Sequence, residues 1–146
     1  MAAASNFLEN QLVDHILRGQ TFSSTAPASL FVALFTAAPN DAGGGTEVTG
    51  GSYARVGVTR ALTSWAGTQG AGTTVASSGT GGVTSNNATI TFPTPTASWG
   101  QVTHFGIFDA VTAGNLFFHG TITTPQTINA GNTVSFAAGQ LVITFA

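Results

Sequence analysis

His104, Asp109 and His119 are the residues whose types best suit chemistry, and they fall close together in one stretch, 103–123. Imidazoles bind metals and take up protons near neutrality. Two apolar-aromatic runs flank Ala110–Asn115, which carries the pair Gly114-Asn115, so the stretch reads as a β-hairpin. Pairing Asp109 with Gly114 across a four-residue loop would set His104 opposite His119 on one face. Asp109 has the opposite parity to His104, so no third ligand joins them. A slip of one residue would separate the pair altogether. The expectation is therefore no metal site, with both histidines hydrogen-bonded to neighbours on a polar face. Phe105, Phe108, Phe117 and Phe118 mark the hairpin as the core.

Other chemistries find less support. The acids are Glu9, Asp14, Asp41, Glu47 and Asp109, and no spacing forces two of them together as glycoside hydrolysis would need. No G-x-S-x-G elbow presents a serine. Gly43-Gly44-Gly45 lacks the following Lys-Ser/Thr and helix of a phosphate loop, so it reads as a turn. Cysteine is absent, which excludes thiol nucleophiles and zinc-thiolate sites. No catalytic residue, metal or cofactor is expected, and the chain is read as non-enzymatic.

Composition constrains the partners. Charged residues make up 5% of the 146, against roughly 25% in ordinary domains. Lysine is missing, and the bases are Arg18, Arg55 and Arg60. Nucleic-acid binding needs many more cations. No apolar run reaches the ~18–20 residues of a membrane span. The opening Met1-Ala2-Ala3-Ala4-Ser5 has no basic n-region, so no secretory signal is expected. A net charge of −2 gives little colloidal repulsion. That favours a protein embedded in an assembly or forming homo-oligomers, or else an extracellular or viral domain with an uncharged, Thr-rich surface.

The elements that must position these residues follow from patterning. One helix is expected over 6–18, capped by Ser5 or Asn6, with Glu9 able to reach back as in a capping box if Asn6 is the cap. Leu8, Leu12, Val13, Ile16 and Leu17 form its apolar face, Asp14 and Arg18 an i,i+4 pair, and Gly19 its stop. That face either plugs an open end of its own sheets or docks on a neighbouring subunit. Strands are expected at about 29–36, 52–63, 87–92, 101–109, 116–122, 132–137 and 140–145. The first is apolar on both sides and therefore central. A short edge strand could sit at 74–77, and Pro125 should break the chain. Arg55 and Arg60 have opposite parity, make no shared patch, and each answers a local acid, with Glu47 or Asp109 as options. Residues 37–51 and 66–85 are long loops of the kind that often carry function. Seven or eight strands with no βαβ alternation predict a single all-β domain over 1–146, a jelly-roll-like or Ig-like sandwich with one N-terminal helix.

Several segments together resemble a family. They are F-L-E-N-Q-L-V-D-H-I-L-R-G (7–19), L-F-V-A-L-F-T-A-A-P (30–39), G-T-E-V-T-G-G-S-Y-A-R-V-G-V (45–58), A-S-W-G-Q-V-T-H-F-G-I-F-D-A (97–110), G-N-L-F-F-H-G (114–120) and I-N-A-G-N-T-V-S-F (128–136). In order and spacing the chain resembles small tailed-bacteriophage virion proteins often labelled tail-fibre-like. The resemblance implies a structural protein of the virion, made in the host bacterial cytoplasm. No heptad stem is present, so a compact head-decoration (cement) protein is preferred. It would bridge and stabilise major capsid subunits, with the major capsid protein or copies of itself as partners. The alternative is a small tail-fibre or baseplate module with receptor or glycan binding. Candidate subunit contacts are Leu8, Leu12, Ile16, Asp41 and Glu47, and Trp65 and Trp99 in loop-like positions, the two that would serve a glycan site.

Overall fold

The apolar run near residue 30 becomes the middle of the molecule. In a computed structural model, which describes residues 2–22 and 28–145, eleven elements follow one another. They are β1 (Ala2–Ala4), α1 (Asn6–Leu17), β2 (Ser29–Ala37), β3 (Thr46–Glu47), β4 (Val56–Thr59), β5 (Val83–Ser85), β6 (Ile90–Thr91), β7 (Gly100–Phe108), β8 (Leu116–Ile128), β9 (Ser135–Phe136) and β10 (Val142–Thr144). The fold is all-β with one N-terminal helix, as the patterning predicts. The connector expected at 20–28 ends on Ala26-Pro27, which lies outside the described residues.

The main sheet is antiparallel, in the order β1-β8-β7-β2-β3, and β4 shares the β2 edge. β4 pairs with Ser29–Val32, and β3 with Phe35 and Ala37. Val32, Ala33, Leu34 and Phe35 are all buried because β2 is covered on both faces. On one face Val32, Leu34, Phe105 and Ile107 pack with Ile90, Phe92, Leu141 and Ile143. Those four come from, or adjoin, the small pairs β5–β10 and β6–β9, which supply the second layer. On the other face Ala33, Phe35, Phe108 and Leu116 form a smaller cluster. Burying a side chain of this size contributes about 1.5–3 kcal/mol, so the two faces together hold the hairpin. Asn86, buried at the junction of the second layer, satisfies its amide fully. Its Nδ2 donates to the carbonyls of Ala88 (2.7 Å) and Ala137 (2.9 Å), and its Oδ1 accepts from the Leu141 N–H (2.9 Å).

The strand bounds depart from expectation at several places, each with a local cause. The strand expected at 52–63 is reduced to β4. Gly50, Gly51 and Ser52 take positive φ, the Tyr53 N–H closes a turn onto the Gly50 carbonyl, and beyond Thr59 the Ser64 and Trp65 N–H groups fold back on Ala61. The strands expected at 87–92, 132–137 and 140–145 are likewise shorter. Residues 74–77 form no strand, and β5 lies later in the same loop. Pro125 does not break the chain. β8 runs through it because four residues, 122–125, bulge out between the pairs His104↔Thr121 and Val102↔Gln126, and a residue without an N–H costs nothing in a bulge. β1 was not anticipated, since Ala has little intrinsic preference for strands. It forms because Gly120 admits it: a Cβ there would lie 3.0 Å from both Ala2 Cα and the Phe105 ring.

Candidate functional site

The hairpin histidines do not face one another. In the observed register His104 pairs with Thr121 and Gly106 with His119, a shift of two residues from the expected pairing. One residue of the shift comes from the turn, which is longer than assumed and sets Phe108 opposite Leu116, and the other from Phe117, which bulges between that pair and Ile107↔Phe118. Alternation keeps both histidines on the sheet face opposite Phe105 and Ile107, as diagonal neighbours. His104 Nδ1 lies 2.8 Å from Thr103 Oγ1. His119 Nε2 donates to Asp41 Oδ1 at 3.0 Å. Asp109 caps the turn: its Oδ1 accepts the Asn115 N–H (2.6 Å) and its Oδ2 the Asn115 side-chain amide (2.8 Å). Gly114 is required beside it, with φ +77° and space for a Cβ only 2.4 Å from Asp109 Oδ1. Among the described residues no three His, Asp or Glu side chains converge to hold a metal, and no helix is long and apolar enough to cross a membrane.

The strongest polar arrangement is one that spacing left open. Arg55 chooses Glu47: its Nε and Nη2 donate to the two carboxylate oxygens at 2.8 and 2.7 Å. Its Nη1 donates to the carbonyls of Ala110 (2.9 Å) and Ala113 (2.8 Å), and its guanidinium lies 3.7 Å over the Phe108 ring. Tyr53 completes the node, donating to Glu47 Oε1 (3.0 Å) and accepting the Leu34 N–H (2.9 Å). Burial is the largest influence on the Tyr53 phenol and pushes it above its usual range. The Leu34 N–H pulls the other way, and the Glu47 charge adds to the rise. Every group in this node is satisfied within the chain, so it fastens the loop 37–51 and the hairpin turn to β2. Nothing in it is left to act on a substrate.

The helix is fastened at one end. Ser5 is the cap, buried, with its Oγ accepting the Leu8 N–H (3.3 Å) and donating to the Leu116 carbonyl. With Ser5 in that role Glu9 is not at the capping-box position. Phe7 stacks on Phe117 (5.7 Å), Phe22 meets the same ring edge-on (6.2 Å), and the Asn6 N–H donates to the Asp41 carbonyl (2.9 Å). The Asp14–Arg18 pair forms at 2.7 Å and Gly19 takes φ +65°. Of the apolar face, Leu8 is buried and Leu12 half-buried, whereas Val13, Ile16 and Leu17 are 50%, 69% and 77% exposed.

The other candidate contacts separate clearly. Asp41 is exposed but tied to His119, and Glu47 is half-buried in the node. Trp99 is buried, its N–H donating to the Gly51 carbonyl (3.0 Å), so it presents no platform. Trp65 is half-buried and lines an open, largely apolar cleft of about 500 Å³ with Leu30, Leu62, Phe118, Ile143 and Phe145. Its Nε1 is buried without a hydrogen-bond partner among the described residues. Leu62 (54% exposed) and Phe145 (49%) stand at the surface. Patterning missed this cleft. Alternation along the strand expected at 140–145 sets Phe145 on one face with Leu141 and Ile143, but only those two are buried. A larger hollow of about 600 Å³ beside the β8 bulge is lined by Thr121, Thr124, Gln126 and Gln140 among others, with no titratable side chain.

No curated protein matches the chain. The family model described as podophage GP4 fiber I protein gp80 matches residues 3–144, nearly the whole chain, and the chain belongs to that bacteriophage fibre family.

Proposed function

We propose that this member of the fibre family is a small, non-enzymatic structural module of a phage tail fibre or its attachment to the baseplate. The family match along 3–144 carries the reading. It favours the alternative drawn from the sequence over head decoration, for which it offers no support. The physical character of the chain agrees. Its charges are few, and Asp14–Arg18, Glu47–Arg55 and Asp41–His119 pair within the chain. The remaining surface can be covered by neighbours with little cost of desolvating ions. Trp99 is buried, which takes away one of the two aromatic platforms a glycan site would use.

The test is location and copy number in the virion. Gold-labelled antibody against the chain should decorate tails, and purified heads should lack it. Label spread over the head lattice at saturating copy number would overturn the fibre reading and restore decoration.

A further inference from the structure

The longest strand, β8, leaves its ladder for four residues, 122–125, opposite the single residue Thr103. Bulges re-aim side chains and are over-represented beside binding sites. Here three of the four, Ile122, Thr123 and Thr124, line the hollow of about 600 Å³. A second hollow of about 390 Å³ adjoins it. The two share Ile122, Gln126, Ser135 and Phe136, so they form one groove between β8 and β9. Each part lies within the ~300–1,000 Å³ of small-ligand sites. We propose that this groove binds a neutral saccharide.

The chemistry of the lining selects the ligand. No titratable side chain lines either part, so a phosphate, a carboxylate or a metal ion finds no counter-charge. The polar groups are hydroxyls and amides, which both donate and accept as sugar hydroxyls do. Those of Thr124, Gln126 and Ser135 have no partner among the described residues. Gln140 spends its Oε1 on the Ala137 N–H (3.0 Å) and keeps its Nε2. Between these groups lie the rings of Phe105 and Phe136, an apolar surface for the C–H face of a pyranose. An added peptide strand is disfavoured, because a bulge and Pro125 interrupt β8 where it borders the groove. The site is distinct from the tryptophan platforms expected from the sequence, and it does not depend on the fibre reading. Label on heads would sink that reading and leave the groove standing, whereas a groove that binds no sugar would do the reverse.

The test starts from a printed array of neutral and acidic oligosaccharides, probed with the full chain. Neutral sugars should bind, and raising the salt should not weaken them, because no ion pair forms. The best neutral sugar is then titrated into isotopically labelled chain. Amide shifts are expected at 121–127 and 135–136 and not around Trp65. Gln126→Ala removes an amide and should weaken binding roughly threefold to tenfold. Ser135→Trp fills the part common to both hollows and should weaken it by about tenfold or more. Both positions are exposed, so folding should survive, and circular dichroism checks it. An array with no neutral sugar bound at millimolar concentration would overturn the proposal. So would binding of acidic sugars alone, shifts confined to the Trp65 cleft, or a folded Ser135→Trp chain that binds like wild type.

Discussion

The Glu47–Arg55–Tyr53 node and the outer half of α1 treat their side chains in opposite ways. In the node each donor finds an acceptor, the guanidinium lies on a ring, and the carboxylate is gripped at both oxygens. On the outer helix three apolar side chains, Val13, Ile16 and Leu17, stand half or more exposed among the described residues. The same chain closes one region on itself and leaves the other open. A segment that serves only its own fold gains by burying such a ridge, so surplus apolar surface beside a satisfied core points to an external use.

Breaking the node should have the largest effect. Arg55→Ala takes the guanidinium from the largely buried Glu47 carboxylate, leaving it the Tyr53 hydroxyl, and frees the Ala110 and Ala113 carbonyls. The expected loss is about 3–5 kcal/mol of unfolding free energy, measured by urea denaturation, with faster amide exchange at the hairpin turn. A loss under about 1 kcal/mol, the scale of an exposed pair, would mean the node is solvated and does not fasten the loop.

Tyr53 sharpens the same point through pH. Its folded value is raised, so the unfolded chain releases the proton first, at about pH 10. The stability this contributes is fully present below that pH and is lost as pH rises through the folded value. Tyr53 is the only tyrosine, so phenolate absorbance follows it alone. The native chain should titrate later than the urea-unfolded chain, and Tyr53→Phe should remove the alkaline slope of stability from this source. Coincident titrations would show the phenol to be exposed.

The fastened end of the helix comes next. Ser5→Ala removes a cap and leaves the buried Leu116 carbonyl without its donor, at a cost of about 1–3 kcal/mol. Restoring a hydroxyl with Ser5→Thr should recover part of it. No loss on Ser5→Ala would mean that water replaces the cap.

What was legible in the sequence follows the same division. Periodicity placed β2, β7 and α1 within a residue or two, because their side chains obey one period and their ends carry turn and cap residues. It failed where a distant partner decides. β1 exists by virtue of Gly120, the hairpin register turns on the extra residue at Phe117, and Pro125 stays in a strand because of a bulge. The choice of Glu47 over Asp109 by Arg55 depended on a loop whose path no local pattern specifies. The cleft was hidden for the same reason, since Phe145 alternates correctly and yet lies past the point where the second layer covers it.

The smallest effect gives the cleanest contrast, because it compares one residue type at two positions of one helix. Leu and Ala differ little in helix propensity, so Leu→Ala reports burial. Leu8 is 5% exposed and Leu17 is 77% exposed. By urea denaturation in dilute solution, Leu8→Ala should cost about 2–5 kcal/mol, and Leu17→Ala should stay within about 0.5 kcal/mol. A large loss from Leu17→Ala would place that side chain in the fold of the single copy and erase the contrast between the two halves of α1.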